Sequence, residues 1–334
     1  MKYARWELER RFVLESLPAE AGPPTRMADH YLQGLRLRLR QMKGPDGEQF
    51  KLGQKHRPDG ARLHARQMTT LYLTAAEHAD LEARLALGVS PLVKHRHRWQ
   101  NAGHAWVVDR FAAPHAGLIV AEVEADASDL ADIAPPPGTV REVTDDPLTD
   151  GNVLAALVGG VGPGAATLRP LQPHDLPALA GWLSDPRLLA DYGGRDQPLD
   201  LALTRAKYLP RILHHDPVLP LRIDAADGPA GFLQLYVTDP AEYALEPGPR
   251  AFGTDLFIAP DRQGEGLGTA ALLAVQQVVR LAGGGRLAVD PRADNTRAMA
   301  AYRSAGFASA GRLTRREHHE GSWHPLDAFV WSTD

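Results

Sequence analysis

The sequence predicts a two-domain α+β protein, a closed barrel of strands with a charged interior followed by a mixed α/β domain built around a phosphate-binding turn. Three observations carry this. Charged side chains recur at every second position on strand after strand in the first half, a glycine-dense turn opens directly into an apolar helix at 262–279, and VGGVGPGAA at 158–166 separates two regions of different pattern. The chain has 334 residues, which exceeds the usual size of one domain. Domains at 1–157 and 167–334 are therefore expected, with 158–166 as a glycine-rich linker.

In the first half, Glu7, Glu9 and Arg11 alternate with Leu8 and Phe12, and Arg36, Arg38 and Arg40 alternate with Leu35, Leu37 and Leu39. Side chains two apart share a strand face. The pattern returns at Lys51 and Lys55, at Lys94, Arg96 and Arg98, and at Glu122 and Glu124. A solvated outer face would account for any one such strand. Charges of both signs on five of them suit a closed barrel with a polar inside, where basic side chains hold phosphates and paired acids hold a divalent metal.

These residues resemble the CYTH superfamily of triphosphate tunnel metalloenzymes, which hydrolyse or cyclise triphosphates inside an antiparallel eight-stranded tunnel barrel. ELERRF resembles the opening Glu-x-Glu-x-Lys motif, with Glu7 and Glu9 in place and Arg11 where lysine is usual. LRLRLR matches the paired arginines, best carried by Arg38 and Arg40, while FKLGQK and VKHRHRW resemble the basic strands and supply Lys55, Lys94 and Arg96, with Lys51 beside them. WVVDRF and AEVEA resemble the later acidic strands, and REVTDD the closing signature. Over 1–157 the resemblance implies a triphosphate, polyphosphate or nucleotide held by Arg11, Arg38, Arg40, Lys51, Lys55, Lys94 and Arg96. It also implies Mg2+ or Mn2+ held by Glu7, Glu9, Asp109, Glu122 and Glu124. The chain departs from the family at ARQMTTLYL, which offers Met68 and Thr70 where acids are usual, and at 147–150, where basic and aromatic residues are expected. The implied activity is thus either metal-dependent hydrolysis or binding alone.

In the second half, the strand AFGTDLFIA carries alternating Phe252, Leu256 and Ile258 before Pro260 stops it. Glycines at 264, 266 and 268 let backbone N–H groups turn toward one point, and the helix beginning near Leu267 aims its positive end there. The turn lacks the Gly-Lys-Ser/Thr ending of a nucleotide P-loop and the early βαβ context of a dinucleotide fold. In RLAVDPRADNTRAMAAYRSAGF, a strand ends at Asp290-Pro291, Asn295 can cap the next helix, Tyr302 follows seven positions on, and Gly306 stops the helix.

Together these blocks resemble the GNAT superfamily of acetyl-CoA-dependent N-acetyltransferases. Gln263, Gly266 and Gly268 match the family's Gln/Arg-x-x-Gly-x-Gly/Ala loop, and Asn295, Tyr302 and Gly306-Phe307 match its late block. Over 167–334 the resemblance implies a GNAT-type mixed α/β sheet that holds acetyl-CoA at Phe257, Ile258, Gln263, Gly264, Gly266, Gly268, Thr269 and Asn295. Tyr302 would be the acid for the leaving thiolate. GTDLFIA, the Asp-Pro-x-x-x-Asn block and ADYGGRD resemble the aminoglycoside 6'-N-acetyltransferase branch, which implies Asp255 as amine anchor and base, with Asp290 as second choice. Gln234 and Tyr236 would line the acceptor groove. LRPL, DLPAL, Trp-x-x-Asp-Pro and the Gly-Phe-x-x-x-Tyr strand are shared with siderophore-biosynthesis acyltransferases, which makes a hydroxylated amine the alternative acceptor.

Composition narrows the rest. The absence of cysteine excludes disulfides, thiolate metal sites and a cysteine nucleophile. A formal net charge of -4 gives no basic field for nucleic acid. MKYARWELERRF has no signal-peptide apolar region and no segment is long and apolar enough to span a bilayer, so a cytoplasmic protein without a membrane partner is expected. Three function classes remain: an acetyltransferase acting on a small amine, a metal-dependent triphosphatase with the GNAT domain accessory, and a sensor whose barrel only binds its ligand.

Overall fold

A computed structural model of the chain describes residues 4–32, 35, 37–56, 65–85, 90–162 and 164–333. Arg36 and Pro163 lie outside the described residues. The chain divides into two compact units, Met1–Gly159 with Leu213–His215, and Gly160–Ile212 with Asp216–Asp334.

The first unit contains β1 (Arg5–Leu14), β2 (Thr25–Tyr31), β3 (Leu37–Gly44), β4 (Gly47–His56), β5 (Ala65–Leu73), α1 (Ala75–Leu85), β6 (Leu92–Asn101), β7 (His104–Phe111), β8 (Ile119–Glu124), α2 (Ala127–Leu130), β9 (Thr139–Glu142) and α3 (Gly151–Val158). Strands pair in the order β5-β4-β3-β2-β6-β7-β8-β1, and β1 returns to β5 from Arg5↔Met68 to Leu8↔Ala65. The result is the expected closed antiparallel barrel of eight strands, with β9 added along β1. Closure leaves the barrel strands no long free edge.

Residues opposed across a ladder share a face. The register opposes Glu9 to Glu124, Arg11 to Glu122, Asp29 to Arg40, Arg40 to Lys51, and Arg96 to Asp109. These charges therefore project to one side, and Glu7, Glu9, Arg11, Asp29, Arg40, Lys94 and Asp109 are buried there. The other face supplies Phe12, Leu14, Trp99, Trp106, Val108 and Val123, which pack under Leu130 and Ile133. Toward one end the interior turns apolar, where Val13, Leu92, Phe111 and Val120 meet Leu154 and Ala155 of α3. The charged strand faces thus enclose a polar lumen that α3 stops with hydrophobic side chains.

The second unit comprises β10 (Thr167–Pro170), α4 (Leu176–Trp182), α5 (Pro186–Leu189), α6 (Leu201–Ile212), β11 (Val218–Ala225), β12 (Gly228–Thr238), β13 (Ala251–Ile258), α7 (Leu267–Leu281), β14 (Arg286–Val289), α8 (Thr296–Ser304), β15 (Ala308–His319) and β16 (Ser322–Ser332). Its sheet runs β10-β11-β12-β13-β14-β16-β15, and only β13–β14 is parallel. A parallel pair needs a crossover. Here α7 provides it, burying Leu267, Ala271, Leu272, Val275, Val278 and Val279 at helical spacing. Within the stretch 158–166, Val161 pairs with Leu168 at the start of β10. Leu171, Leu176, Leu179, Leu188, Tyr208, Phe232 and Phe257 form a core, in which Phe232 meets Tyr208 edge-on at 5.2 Å and Phe257 at 5.7 Å.

Phe232 is fully buried at the centre of that core. Phe232→Ala should lower the stability of the second unit by about 3–5 kcal/mol in chemical denaturation, and an unchanged midpoint would place the ring outside the cooperative core.

Candidate functional site

In the second unit, parallel pairing between β13 and β14 runs from Ala251↔Arg286 to Gly253↔Ala288 and stops. Beyond that point the edge of β13 facing β14 has no strand partner, and a cleft opens beside Thr254–Ile258 with backbone groups that a ligand can answer. A turn at Pro260–Arg262 follows, and then the glycine loop. Gly264 and Gly266 have φ of +87° and +77°, a conformation that costs glycine nothing. A Cβ added at either would meet no atom within 4 Å, so the space over the loop is open. Gly266 caps α7 without any side-chain hydrogen bond, which leaves the first helical amides free to bind an anion.

The neighbouring side chains divide into contacts and supports. Ile258 borders the loop, 3.7 Å from where a Cβ on Gly268 would lie, and the Thr269 hydroxyl makes no hydrogen bond among the described residues. Gln263 donates to the Ile258 carbonyl at 3.1 Å and accepts from Arg297, so its amide helps to fix the loop. Phe257 keeps its side chain in the core. Its ring stacks edge-on with Tyr192 at 5.0 Å and Trp182 at 6.0 Å in the core, leaving only its backbone toward the cleft. Asn295 caps α8, its Oδ1 accepting from Ala298 N at 3.0 Å.

Across the cleft, Arg211 donates to Gln234 Oε1 at 2.6 Å, and Gln234 Nε2 donates to Asp255 Oδ2 at 2.6 Å. Burial pushes the Asp255 carboxyl up, with Gln234 and Arg211 opposing. Tyr236 lies across Gly253, where a Cβ would fall 2.3 Å from its ring, and its hydroxyl meets that of Tyr243 at 3.2 Å. Asp290 follows β14 and pairs with Arg315 at 2.8 Å. Burial, reinforced by Asp255 and Glu317 against Arg315, pushes Asp290 up to about 7. Tyr302 is buried, its ring 5.9 Å from both Phe307 and Phe329, and burial followed by Asp255 and Asp290 raises its pKa. Its hydroxyl makes no hydrogen bond among the described residues.

Residues 172–315 match the model of the acetyltransferase (GNAT) domain family. Aminoglycoside N(6')-acetyltransferase type 1 of Klebsiella pneumoniae is 32% identical over 157 residues, which span 45% of this chain and 77% of that protein; the namesake of Serratia marcescens matches equally. The chain belongs to the GNAT acetyltransferase family. A crystal structure of an aminoglycoside acetyltransferase with coenzyme A is 28% identical and superimposes with a TM-score of 0.43, over 50% of this chain and 94% of that one. Within the GNAT domain the sequence placed Asp255, Asp290, Gln234, Tyr236 and Tyr302. It missed Arg211, Tyr243, Arg315 and Glu317, which come from α6, the connection after β12, and β15.

Inside the barrel the charges are largely answered by one another. Arg40 holds Asp29 through two hydrogen bonds of 2.5 and 2.6 Å, and Asp109 is shared by Lys94 and Arg96. Although burial alone would raise them, Asp29 and Asp109 lie well below the usual carboxylate range because of these cations. Glu122 takes Arg96 at 3.0 Å and Arg11 at 3.5 Å. Of the five expected metal ligands, Glu7, Glu9 and Glu124 come together, with ligand atoms within 4.8 Å of one another. Asp109 and Glu122 stand apart from that cluster because guanidinium and ammonium groups hold them. Lys55, expected among the phosphate ligands, sits in the acidic cluster instead, 2.8 Å from Glu9 and 3.3 Å from Glu7. Asp29, Arg66 and Asp150 were not foreseen; Arg66 bridges Glu9 and Asp150, and Asp150 also takes Arg11 at 3.1 Å.

Asp109→Asn should destabilise the barrel by about 3–5 kcal/mol, since Lys94 and Arg96 would be left buried without their carboxylate. Because the folded carboxyl is held below its ordinary value of 3.8, its contribution is present above that pH and is lost as the pH falls further. Equal acid unfolding of the wild type and the variant would contradict this.

Proposed function

We propose that the chain is an acetyl-CoA-dependent N-acetyltransferase for a small amine of aminoglycoside or polyamine type, fused to a CYTH-like barrel that binds a triphosphate, polyphosphate or nucleotide. The observation that carries the first half is the convergence of an open glycine loop, an unpaired strand edge and the groups Asp255, Asp290 and Tyr302 along one cleft. The relatives named as aminoglycoside N(6')-acetyltransferases support an acceptor bearing several amines. Two carboxylates in the groove, with Glu317 close enough to raise Asp290, suit such a cation.

Acetyl-CoA would supply the activated acetyl group as a thioester. The amides of the α7 N-terminus would bind its pyrophosphate, with Gly264 and Gly266 leaving room for the phosphates and Thr269 adding a hydroxyl. Asp255, oriented by Gln234, would anchor the acceptor ammonium. Asp290, poised near neutrality, would take the proton that the attacking nitrogen sheds, and the Tyr302 hydroxyl would deliver one to the departing sulfur. The raised pKa of Tyr302 keeps that proton in place until sulfur charge develops.

For the barrel, the supporting observations are its closed eight-stranded form and the inward cations Arg38, Arg40, Lys51, Lys94 and Arg96. Binding is the reading favoured over hydrolysis, because Asp29, Asp109 and Glu122 are all neutralised by neighbouring cations.

Gly266→Val should weaken acetyl-CoA binding at least about tenfold in calorimetry by straining the positive φ and filling the space above the loop; unchanged affinity would locate the cradle elsewhere. Tyr302→Phe should lower kcat about 10²-fold with little change in acetyl-CoA affinity, and wild-type turnover would assign the ring to packing. The pH profile of kcat/KM should rise through about 7 as Asp290 ionises, and that limb should vanish in Asp290→Asn. The sign for stability is opposite: the folded carboxyl keeps its proton up to about 7 where the unfolded one ionises near 3.8, so the stability it contributes is complete below that lower value and lost as the pH rises through the higher. A profile unchanged in the variant would remove Asp290 from proton transfer.

A further inference from the structure

We propose that the barrel holds a phosphoanhydride chain without a divalent cation, because the Lys55 ammonium occupies the carboxylate cluster in which a metal ion would sit. The inference rests on the reading of the barrel as a phosphate-binding module. It departs from the metal dependence that the tunnel resemblance implies.

A divalent cation needs carboxylate oxygens that face it together and carry charge in excess of their neighbours. Glu7, Glu9 and Glu124 satisfy the first requirement. They fail the second. Lys55 reaches from β4 to within 2.8 Å of Glu9 Oε2 and 3.3 Å of Glu7 Oε2, Arg5 lies 2.8 Å from Glu7 Oε1, and Arg66 lies 3.3 Å from Glu9 Oε1. Glu7 is thus met by Arg5 and Lys55, and Glu9 by Lys55 and Arg66. A metal entering here would have to expel an ammonium that has no other carboxylate within ion-pair reach among the described residues.

The positive surplus lies elsewhere on the same interior face. Lys51 has no carboxylate within ion-pair distance among the described residues, and Arg38 reaches Asp29 only at 3.9 Å. Burial and then Arg40, Arg38 and Arg96 lower the Lys51 pKa, as expected of an ammonium surrounded by cations. Arg40 and Lys51 are opposed across β3 and β4, so their charges share one face. A phosphoanhydride chain answers such a group directly, offering one anionic phosphate after another to guanidinium forks and an ammonium. Inorganic polyphosphate and nucleotides share this chemistry.

The test is calorimetry on the full chain with inorganic tripolyphosphate and with ATP, each in EDTA and in excess Mn2+, together with a Mn2+ titration alone. The expected result is binding in EDTA with an affinity within about threefold of that in Mn2+, and no binding of Mn2+ by itself. Lys51→Gln should weaken tripolyphosphate binding in EDTA at least about tenfold, and Lys55→Met should create Mn2+ binding that the wild type lacks. The wild-type titrations stand whether or not the Lys55 variant folds. Preference for tripolyphosphate or for ATP supports the inference in either case and names the source. Binding that is lost in EDTA and restored by Mn2+ would overturn the role of Lys55 while keeping the phosphate reading, and no binding under any condition would overturn both.

Discussion

Past Gly253 and Ala288 the two parallel strands of the GNAT sheet part, and the backbone groups left without a ladder partner are the constraint on which that domain's chemistry depends. Polar backbone must be answered by something. Here the helix that connects the diverging strands starts at the mouth of the gap, and its own first amides are also uncapped. Glycines at positive φ keep Cβ atoms out of the space between. The same divergence brings Asp255, which faces β12 and its Gln234, into one cleft with Asp290, which follows the end of β14. An extended ligand with amide groups and phosphates fits that geometry, and an amine placed at the carboxylates meets Asp255, whose pKa burial raises, and Asp290, pushed up to about 7.

In the barrel the same rule applies to side chains. Closing eight charged strand faces on one another places carboxylates and cations at low dielectric, where an unpaired charge costs several kcal/mol. The structure resolves this by pairing: Asp29 with Arg40, Asp109 with Lys94 and Arg96, Glu9 with Lys55 and Arg66. What a ligand can recognise is the remainder after pairing. That remainder is positive around Lys51 and Arg38, both among the basic residues that the tunnel resemblance assigns to the phosphate.

Local periodicity made the elements legible. Charges two apart placed most of the inward barrel residues on their face, and the glycine loop, the Asn295 cap and the Gly306 stop fell where expected because each is decided by neighbours within a turn. Partnership was not legible, since it is decided by chain segments far apart. Lys55 is 46 residues from Glu9, so period two showed that both face inward but not that they meet, and Asp150, 139 residues from Arg11 and outside any strand, gave no periodic signal at all. Arg211 sits on α6, 23 residues before the Gln234 it orients, within a helix whose pattern alone reads as amphipathic. Phe257 and Gln263 show how side chains take on further work: motif position puts them at the cofactor, and packing against Tyr192 and a hydrogen bond to Ile258 give their side chains a structural role as well.

Transfer of an acetyl group to nitrogen in the cleft is read out by mass spectrometry of the acceptor. The chain would be incubated with acetyl-CoA and a panel of aminoglycosides and linear polyamines, and each product mapped by fragmentation. A single acetyl group on a primary amine of at least one acceptor is expected, with coenzyme A released in equal amount. Coenzyme A bound by the chain with every acceptor returned unmodified, or acetyl groups found on oxygen alone, would contradict it.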